Sequence, residues 1–517
     1  MGNTHEIEIK LAIGGAKRAE LLAHPLIQGT AHFQHLDAVY YDTPDWRLHE
    51  AGALLRTRSA GADPEQTLKI AGEAGGQIER GEWNRRIHGE TPDVALFPAP
   101  ARDLVEAILD GSKVEPFARV ETDRQAYDLN YRDSKVELAV DQGTIIAGKR
   151  SEDICEVELE LKQGRFTDLI DLVLELPIGP DLLWSTMSKS ERGYLMAIGA
   201  KVSARKAEPV RLNKSMLAAT AFQRIAWNCL NQLLSNYQLV VDDFDEEALH
   251  QSRVALRRLR AAFSIFKNVI ADDHFPVLWA ELKKVASALG PARDLDVMIG
   301  TLKLQAGTDE NRNSTFNDLL FQFDRQRSKT YAKICKLLCG TPFQKLLFET
   351  AAWIESGSWL TTPDDEMARR AAVPIADFAS CDLRGRRRKV AKAGHHLSSL
   401  DPTHRHKLRI KVKKLRYATD FFGSLFKSDK TAGRHKAFSS ALGKLQDHLG
   451  ELNDIVVRRK GNLVDLTFLQ EADRARLTTA LQCTLEVHAK SEDDLMRAAD
   501  NALDKMLLVR HFWNKAT

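Results

Sequence analysis

The sequence predicts an α+β chain: an eight-stranded antiparallel β-barrel tunnel with flanking helices over residues 1–200, a linker at 201–214, and an all-α helical bundle with internal duplication over 215–517. Three observations predict it. Apolar and charged residues alternate with period two in short runs broken by turn residues up to Gly199. After Gly199 the strand signals stop, Ala200–Asn213 is polar and basic, and apolar residues recur at helical spacing through to Val509. Within that second part, one pattern of histidine and basic residues occurs twice.

A chain of 517 residues is too long for one core, so two or three domains are expected. Its 44% hydrophobic and 28% charged residues are ordinary for a globular protein in water. Lys and Arg (74) nearly balance Asp and Glu (71), so net charge names no partner and only the distribution of charge can. The six cysteines are scattered, and no pair has zinc-ligand spacing with other ligands nearby. Cys335 and Cys339 fall four apart in a helical pattern and read as core thiols. The acidic start lacks the basic and apolar segments of a signal peptide, and no window approaches 18 apolar residues. A reducing cytoplasm is the expected compartment.

The first part opens on Glu6-Ile7-Glu8-Ile9-Lys10. A strand sends alternate side chains to opposite faces, so Glu6, Glu8 and Lys10 share one face. The arrangement returns in Glu156-Val157-Glu158-Leu159-Glu160-Leu161-Lys162. Carboxylates from two such strands lining one cavity would supply hard oxygen ligands for Mg²⁺ or Mn²⁺, leaving the lysines to meet phosphate oxygens. Between them the pattern predicts a helix at 16–24 and strands at 37–41, 53–58, 66–70 and 78–87. A long pair at 117–129 and 134–146 follows, joined across 130–133, and the last strand covers 154–161. Asp42-Thr43-Pro44 reads as a turn that starts a helical turn, and 101–109 and 166–174 as helices packed outside the sheet. This number of strands with short connections suits an antiparallel sheet that closes into a barrel.

Charged residues recur on nearly every strand: Arg56 with Arg58, Lys69, Arg80 with Glu82, Arg119 with Glu121, Arg124, and Glu137 with Asp141. Leu54, Leu68, Val120, Leu138 and Val157 stand on the apolar face. Either the charged face is wet surface around an apolar core, or the apolar face packs outward on helices and encloses a charged lumen. Unpaired buried charge is prohibitive, so a lumen requires the two signs to serve each other or a ligand. Repetition over the strands favours the lumen. Polyphosphate with a divalent metal is the class that uses both signs, since cations bind phosphate oxygens and carboxylates bind the metal.

Glu6-x-Glu8-x-Lys10, Tyr41-Asp42-Thr43, Leu55-Arg56-x-Arg58, Thr67-Leu68-Lys69, Val140-Asp141-x-Gly143, the Glu156–Glu160 strand and Ser188-Lys189-Ser190-x-Arg192-Gly193 together resemble the CYTH domain over residues 1–200. That family, the triphosphate tunnel metalloenzymes, implies an eight-stranded tunnel that hydrolyses or cyclises triphosphates with Mg²⁺ or Mn²⁺. By position, the resemblance implies metal ligands at Glu6, Glu8, Asp141, Glu156, Glu158 and Glu160. It implies phosphate-gripping residues at Lys10, Arg56, Arg58, Lys69, Arg80, Arg119, Lys189 and Arg192. Arg80-Gly81-Glu82 is followed by Trp83-Asn84, where a further acidic residue often stands in the family.

The second part predicts helices at 216–237, 250–269, 275–289, 316–338, 342–355, 364–393, 404–425, 435–449, 471–488 and 495–507. His250-x-x-Arg253-Val254-x-x-Arg257-Arg258-Leu259-Arg260 matches His406-x-x-Arg409-Ile410-x-x-Lys413-Lys414-Leu415-Arg416 at an offset of 156 positions. Lys284 before Leu289-Gly290 matches Lys444 before Leu449-Gly450, and Asp294 matches Asp454 at an offset of 160. Residues spaced three and four apart share a helix face. His250, Arg253, Arg257 and Arg260 therefore form one basic stripe, and His406, Arg409, Lys413 and Arg416 a second. A single stripe is ordinarily a solvated face, whereas two that face each other make a cationic channel for a flexible polyanion. Nucleic acid is the competing ligand, but no aromatic residues interleave the stripes to stack on bases. Arg384–Lys389 and Arg458–Lys460 add basic surface.

This part resembles the CHAD domain from about residue 215 to the end, a helical module that binds inorganic polyphosphate. The resemblance implies a polyphosphate-binding set of His250, Arg253, Arg257, Arg260, Lys284, Arg293, His406, Arg409, Lys413, Arg416 and Lys444. Asn453 stands where the first copy has Arg293. Together the parts read as a cytoplasmic inorganic triphosphatase, Mg²⁺- or Mn²⁺-dependent, cleaving tripolyphosphate to pyrophosphate and phosphate and binding polyphosphate through its helical domain. The alternative is a non-catalytic polyphosphate-binding protein on granules. Nucleotide or thiamine triphosphate hydrolysis and adenylate cyclisation remain open as chemistries, and neither nucleic acid nor a membrane is an expected partner.

Overall fold

The structure, a computed structural model, describes residues 4–27, 29–60, 64–71, 79–306, 313–361, 365–426, 429–459, 469–475 and 492–513. Nine strands form one antiparallel sheet: β1 (Thr4–Ile13), β2 (His32–Asp42), β3 (Ala53–Ser59), β4 (Glu65–Ala71), β5 (Glu79–Arg86), β6 (Glu115–Tyr131), β7 (Ser134–Ala147), β8 (Arg150–Gln163) and β9 (Leu182–Ser185). Their order is β5-β4-β3-β2-β6-β7-β8-β1-β9, with a further pairing of β5 to β1 through Thr4↔Glu82 to Ile7↔Glu79. The predicted count was eight. The ninth strand escapes sequence patterning because four residues, Leu-Leu-Trp-Ser, are too few to show a period.

The alternation sorts the two faces as a strand must. Ile9, Leu11, Leu55, Leu68, Leu138, Val140, Val157 and Leu159 are buried on the outer face. Helices α1 (Gly15–Leu22), α2 (Arg47–Glu50), α3 (Ala99–Leu109) and α4 (Phe166–Glu175) lie beside the strands. Ala101, Val105 and Leu109 of α3 share a core with Leu55 and Leu68. Asp42 is buried and accepts the amides of Thr43 (2.7 Å), Leu48 (2.9 Å) and His49 (2.9 Å), which makes the predicted turn after β2 the start of α2.

Two expected face assignments fail on parity. Val120 and Leu54 were placed on the outer face, yet they line the inside together with Arg124 and Arg56, whose numbers share their parity. The inner face is therefore charged toward one end and apolar toward the other. At the apolar end, α5 (Lys189–Ile198) packs Met196 against Ala38, Tyr40, Val120, Ile145 and Ile154. Gly193 is needed there, because a Cβ would lie 2.8 Å from the Cβ of Ala118.

The remaining described helices are α6 (Ala218–Asp243), α7 (Glu246–Ile270), α8 (Phe275–Ala288), α9 (Gly290–Ala306), α10 (Asn313–Cys339), α11 (Thr341–Ser356), α12 (Asp365–Ala371), α13 (Ile375–Gly394), α14 (Pro402–Phe422), α15 (Asp429–Arg459) and α16 (Glu492–Leu508). The single helix expected over 364–393 is two, because Pro374 has no amide to continue a helix and instead bridges to Leu217. α9 was not anticipated, and α15 runs through Leu449-Gly450 where a helix end was expected. Most of the helix expected at 471–488 lies outside the described residues, as do Cys483 and Lys460. Among the described residues no helix is long and apolar enough to cross a membrane. Contacts divide the chain into two units: Met1–Lys206 with Leu230–Ala248 and Lys336–Ser356, and Ala207–Cys229 with Leu249–Cys335 and Gly357–Thr517.

Candidate active site

In the first unit the inner face of the sheet lines a cavity of about 670 Å³. Alternate residues of the strands line it: Glu8 and Lys10 from β1, Arg56 and Arg58 from β3, Lys69 from β4, Glu82 and Asn84 from β5, and Arg124 from β6. β7 adds Glu137 and Asp141, β8 adds Glu158 and Glu160, and α5 adds Lys189. Register explains the juxtapositions. Lys10 faces Glu158, Glu8 faces Glu160, and Asp141 lies between Arg124 on one neighbour and Glu156 on the other. One rung runs Glu8, Glu160, Glu137, Asp128 across four adjacent strands, like charges directly opposite one another, and Lys162 offsets two of them, reaching Glu160 (2.6 Å) and Glu137 (3.5 Å).

The centre of the cavity wall is a balanced cluster of three cations and three carboxylates. Lys189 Nζ reaches Asp141 (2.6 Å), Glu158 (3.0 Å) and Glu156. Lys10 Nζ reaches Glu158 (3.0 Å) and Glu156 (3.4 Å). Arg124 donates a bidentate pair to Asp141 at 2.7 Å and a further bond to Glu158. Burial alone would push both lysines and Arg124 down, but the carboxylates outweigh it and hold all three above their ordinary values. Burial would likewise raise Glu158, yet Lys189, Lys10 and Arg124 hold it well below the usual carboxylate range.

Asp141, Glu156 and Glu158 each bring an oxygen within 4.8 Å of the others, so this set could hold a metal ion. Glu8 and Glu160 line the same cavity, and Glu160 is paired with Lys162 at 2.6 Å. The opposite wall is cationic. The charge of Arg56 pushes the Arg58 guanidinium down from its ordinary value, with burial and Arg124 adding to the effect. Lys69 contacts Glu82 at 3.4 Å, and Asn84 accepts from Thr67 (2.7 Å) and donates to Glu82 (3.0 Å).

Two expected phosphate ligands stand elsewhere. Arg119 has the parity opposite to Arg124, so it points outward to Asp37 and Glu121 and is absent from the cavity wall. Arg192 pairs with Glu152 and the carbonyl of Asp153. Arg124, which was outside the expected set, is brought to the cavity wall by the register that sets it opposite Asp141. The side chains of Glu6 and Arg80 lie outside the described residues; their backbones pair with each other.

A family model for the CYTH domain matches residues 4–194, and one for the CHAD domain matches residues 224–460. The chain joins a CYTH domain to a CHAD domain. An inorganic triphosphatase of Haemophilus influenzae is 36% identical over 200 residues, which is 37% of this chain and 54% of that relative, so the match spans about half of it. An uncharacterized protein of Mycobacterium tuberculosis is 26% identical over 441 residues, 80% of each chain. The crystal structure of the CHAD domain from the plant Ricinus communis aligns at 22% identity with a TM-score of 0.48, covering 58% of this chain and 97% of that one.

In the CHAD domain the two basic stripes lie on α7 and α14. Burial, then the charges of Arg409 and Arg257, push Lys413 down to about 8, so the stripes come within electrostatic reach of each other. Arg253 is held down by burial, Arg257 and Arg293, with Asp294 opposing. Arg253 Nη1, Arg260 Nε and Arg409 Nε are buried N–H donors with no acceptor among the described residues. Arg260 lies over the Trp279 ring at 5.2 Å, and His406 contacts Asn453 at 3.1 Å. Lys284 and Lys444 are exposed, and Lys284 pairs with Glu281.

Proposed function

We propose that the chain is an Mg²⁺- or Mn²⁺-dependent inorganic triphosphatase that cleaves tripolyphosphate to pyrophosphate and phosphate, and that its CHAD domain binds inorganic polyphosphate. One observation carries the reading: a single cavity sets a cationic wall of Arg56, Arg58 and Lys69 against the carboxylates Glu8, Asp141 and Glu158, with buried Glu156 beside the last two. The pairing of β5 with β1 supports closure of the strands into a tunnel around it. A divalent ion held by Asp141, Glu156 and Glu158 would supply positive charge to the phosphate oxygens and acidify the attacking water.

Arg56, Arg58 and Lys69 hold the non-bridging oxygens of the chain in line for attack. Water oxygen attacks the terminal phosphorus, the bond to the bridging oxygen breaks, pyrophosphate leaves with its charge met by the basic wall, and the new phosphate keeps the water's oxygen and one of its protons while the other passes to solvent. Lys10, Lys189 and Arg124, which hold carboxylates in the free site, turn to phosphate oxygens as substrate enters. Glu8 completes the acidic side, with Glu160 on the facing strand. In the CHAD domain, α7 and α14 act as related copies whose stripes share one polyanion, and the three unaccepted guanidinium N–H groups take phosphate oxygens.

The deciding experiment is phosphate release from tripolyphosphate, ATP and thiamine triphosphate with each divalent ion. Tripolyphosphate turnover that is lost on Glu8→Gln supports the reading. Tight, salt-sensitive polyphosphate binding without turnover of any triphosphate would leave a binding protein instead.

A further inference from the structure

The sheet ends at β9, a four-residue edge strand pairing with the Lys10–Ile13 half of β1. An edge strand this short has little to hold it, and its outward N–H and C=O groups need partners. Both groups of Trp184 find them far along the chain. The Trp184 amide donates to Gln344 Oε1 at 3.1 Å, and its carbonyl accepts from the Tyr237 hydroxyl. Gln344 is itself anchored, donating to the carbonyl of Leu338 at 2.8 Å, and the Trp184 ring stacks on Phe348 at 4.2 Å and 6°. Tyr237, Gln344 and Phe348 are buried, and burial pushes the Tyr237 phenol up, so it keeps its proton for this bond.

We propose that Tyr237, Gln344 and Phe348 are positioning residues for the triphosphate site, acting through Trp184. The connection is short. Trp184 sits opposite Leu11 on the outer face, and the neighbouring pair, Ser185 opposite Lys10, faces the cavity. Four residues beyond Ser185 the chain delivers Lys189, the cation that bridges Asp141, Glu156 and Glu158. Seating Trp184 therefore fixes the origin of both lysines that balance the carboxylates. Tyr237 and the α11 pair follow residue 200 in sequence yet belong to the first compact unit, so residues 1–200 alone lack the clamp.

This inference rests on the triphosphatase reading for its activity arm and on structure alone for its second arm. In the full chain, Gln344→Met and Tyr237→Phe leave buried backbone groups of Trp184 without partners. A misplaced Lys10 and Lys189 weaken binding of substrate and transition state alike, so the KM for tripolyphosphate should rise about tenfold with kcat little changed. Amide hydrogen exchange should quicken in segments 8–13 and 182–190 while β6 and β7 keep their protection. Phe348→Tyr, which retains a stacking ring, should sit closer to wild type than Phe348→Ala in both measurements. Unchanged exchange in the two segments, or equal acceleration across the whole sheet, overturns the proposal. So does a loss confined to kcat. Absence of turnover in the wild-type chain would remove the functional reading, and the exchange experiment would still decide this one.

Discussion

Replacing Arg124 by leucine tests the balanced cluster directly. Arg124 supplies both bonds to the outer edge of Asp141, whose side chain is fully buried, and a further bond to Glu158, which is 16% exposed. The substitution leaves two cations facing three carboxylates. One ion contact at that spacing is worth about 6 kcal/mol at an effective dielectric of ~20, and part of it is returned because Arg124 no longer has to be desolvated. Breaking a buried pair costs roughly 3–5 kcal/mol net, and the open cavity argues for the lower end. About 3 kcal/mol lowers the unfolding midpoint of a unit this size by roughly 6–12 °C. The assay is thermal unfolding of the full chain, following the transition of the first unit with and without Mn²⁺. A divalent ion replaces the missing positive charge, so Mn²⁺ should raise the variant's midpoint by more than it raises that of wild type. A variant midpoint within about 1 °C of wild type, or equal responses to Mn²⁺, would refute the account of the cluster.

Glu158→Gln removes a candidate ligand and should weaken Mn²⁺ binding, read by calorimetry, by roughly 10–100-fold or more. The folded Glu158 lies well below its ordinary 4.5, so its contribution to stability is complete above that pH and is lost as pH falls through the folded value; the first unit should lose stability below about pH 4.5, with a shallower acid limb in Glu158→Gln. Lys413, pushed down to about 8, regains its proton when polyanion arrives, so polyphosphate binding near pH 8 should take up protons and weaken as pH rises toward 9, measured in buffers of different ionisation enthalpy. Arg253→Ala combined with Arg409→Ala should weaken polyphosphate binding and flatten its dependence on salt, because both guanidinium groups have buried N–H donors without an acceptor among the described residues.

Strand content was legible wherever alternation was long enough to count. The pair expected at 117–129 and 134–146 is β6 and β7 at Glu115–Tyr131 and Ser134–Ala147, and the carboxylates of β8 fall on the cavity side as the pattern required. The errors have two physical sources. One is parity: Arg119 and Arg124 cannot share a face of one strand, and choosing between them needed the neighbouring register, which put Asp141 opposite Arg124. The other is context from far along the chain. β9 is a strand because β1 lies on one side and Gln344 and Tyr237 on the other, and no local window contains that information. In the helical part the periodic stripes were readable, and the break at Pro374 was legible too, since proline has no amide to continue a helix.

The six-member charge cluster also restricts how this sequence can drift. Losing any one of Lys10, Arg124, Lys189, Asp141, Glu156 or Glu158 strands an ion in a sheltered place, while removing one of each sign together leaves neutrality intact. Changes at these positions are therefore tolerated in couples rather than singly. Charge-reversed or charge-deleted doublets such as Arg124 with Asp141 form the routes by which such a wall can be rebuilt without the fold collapsing on the way.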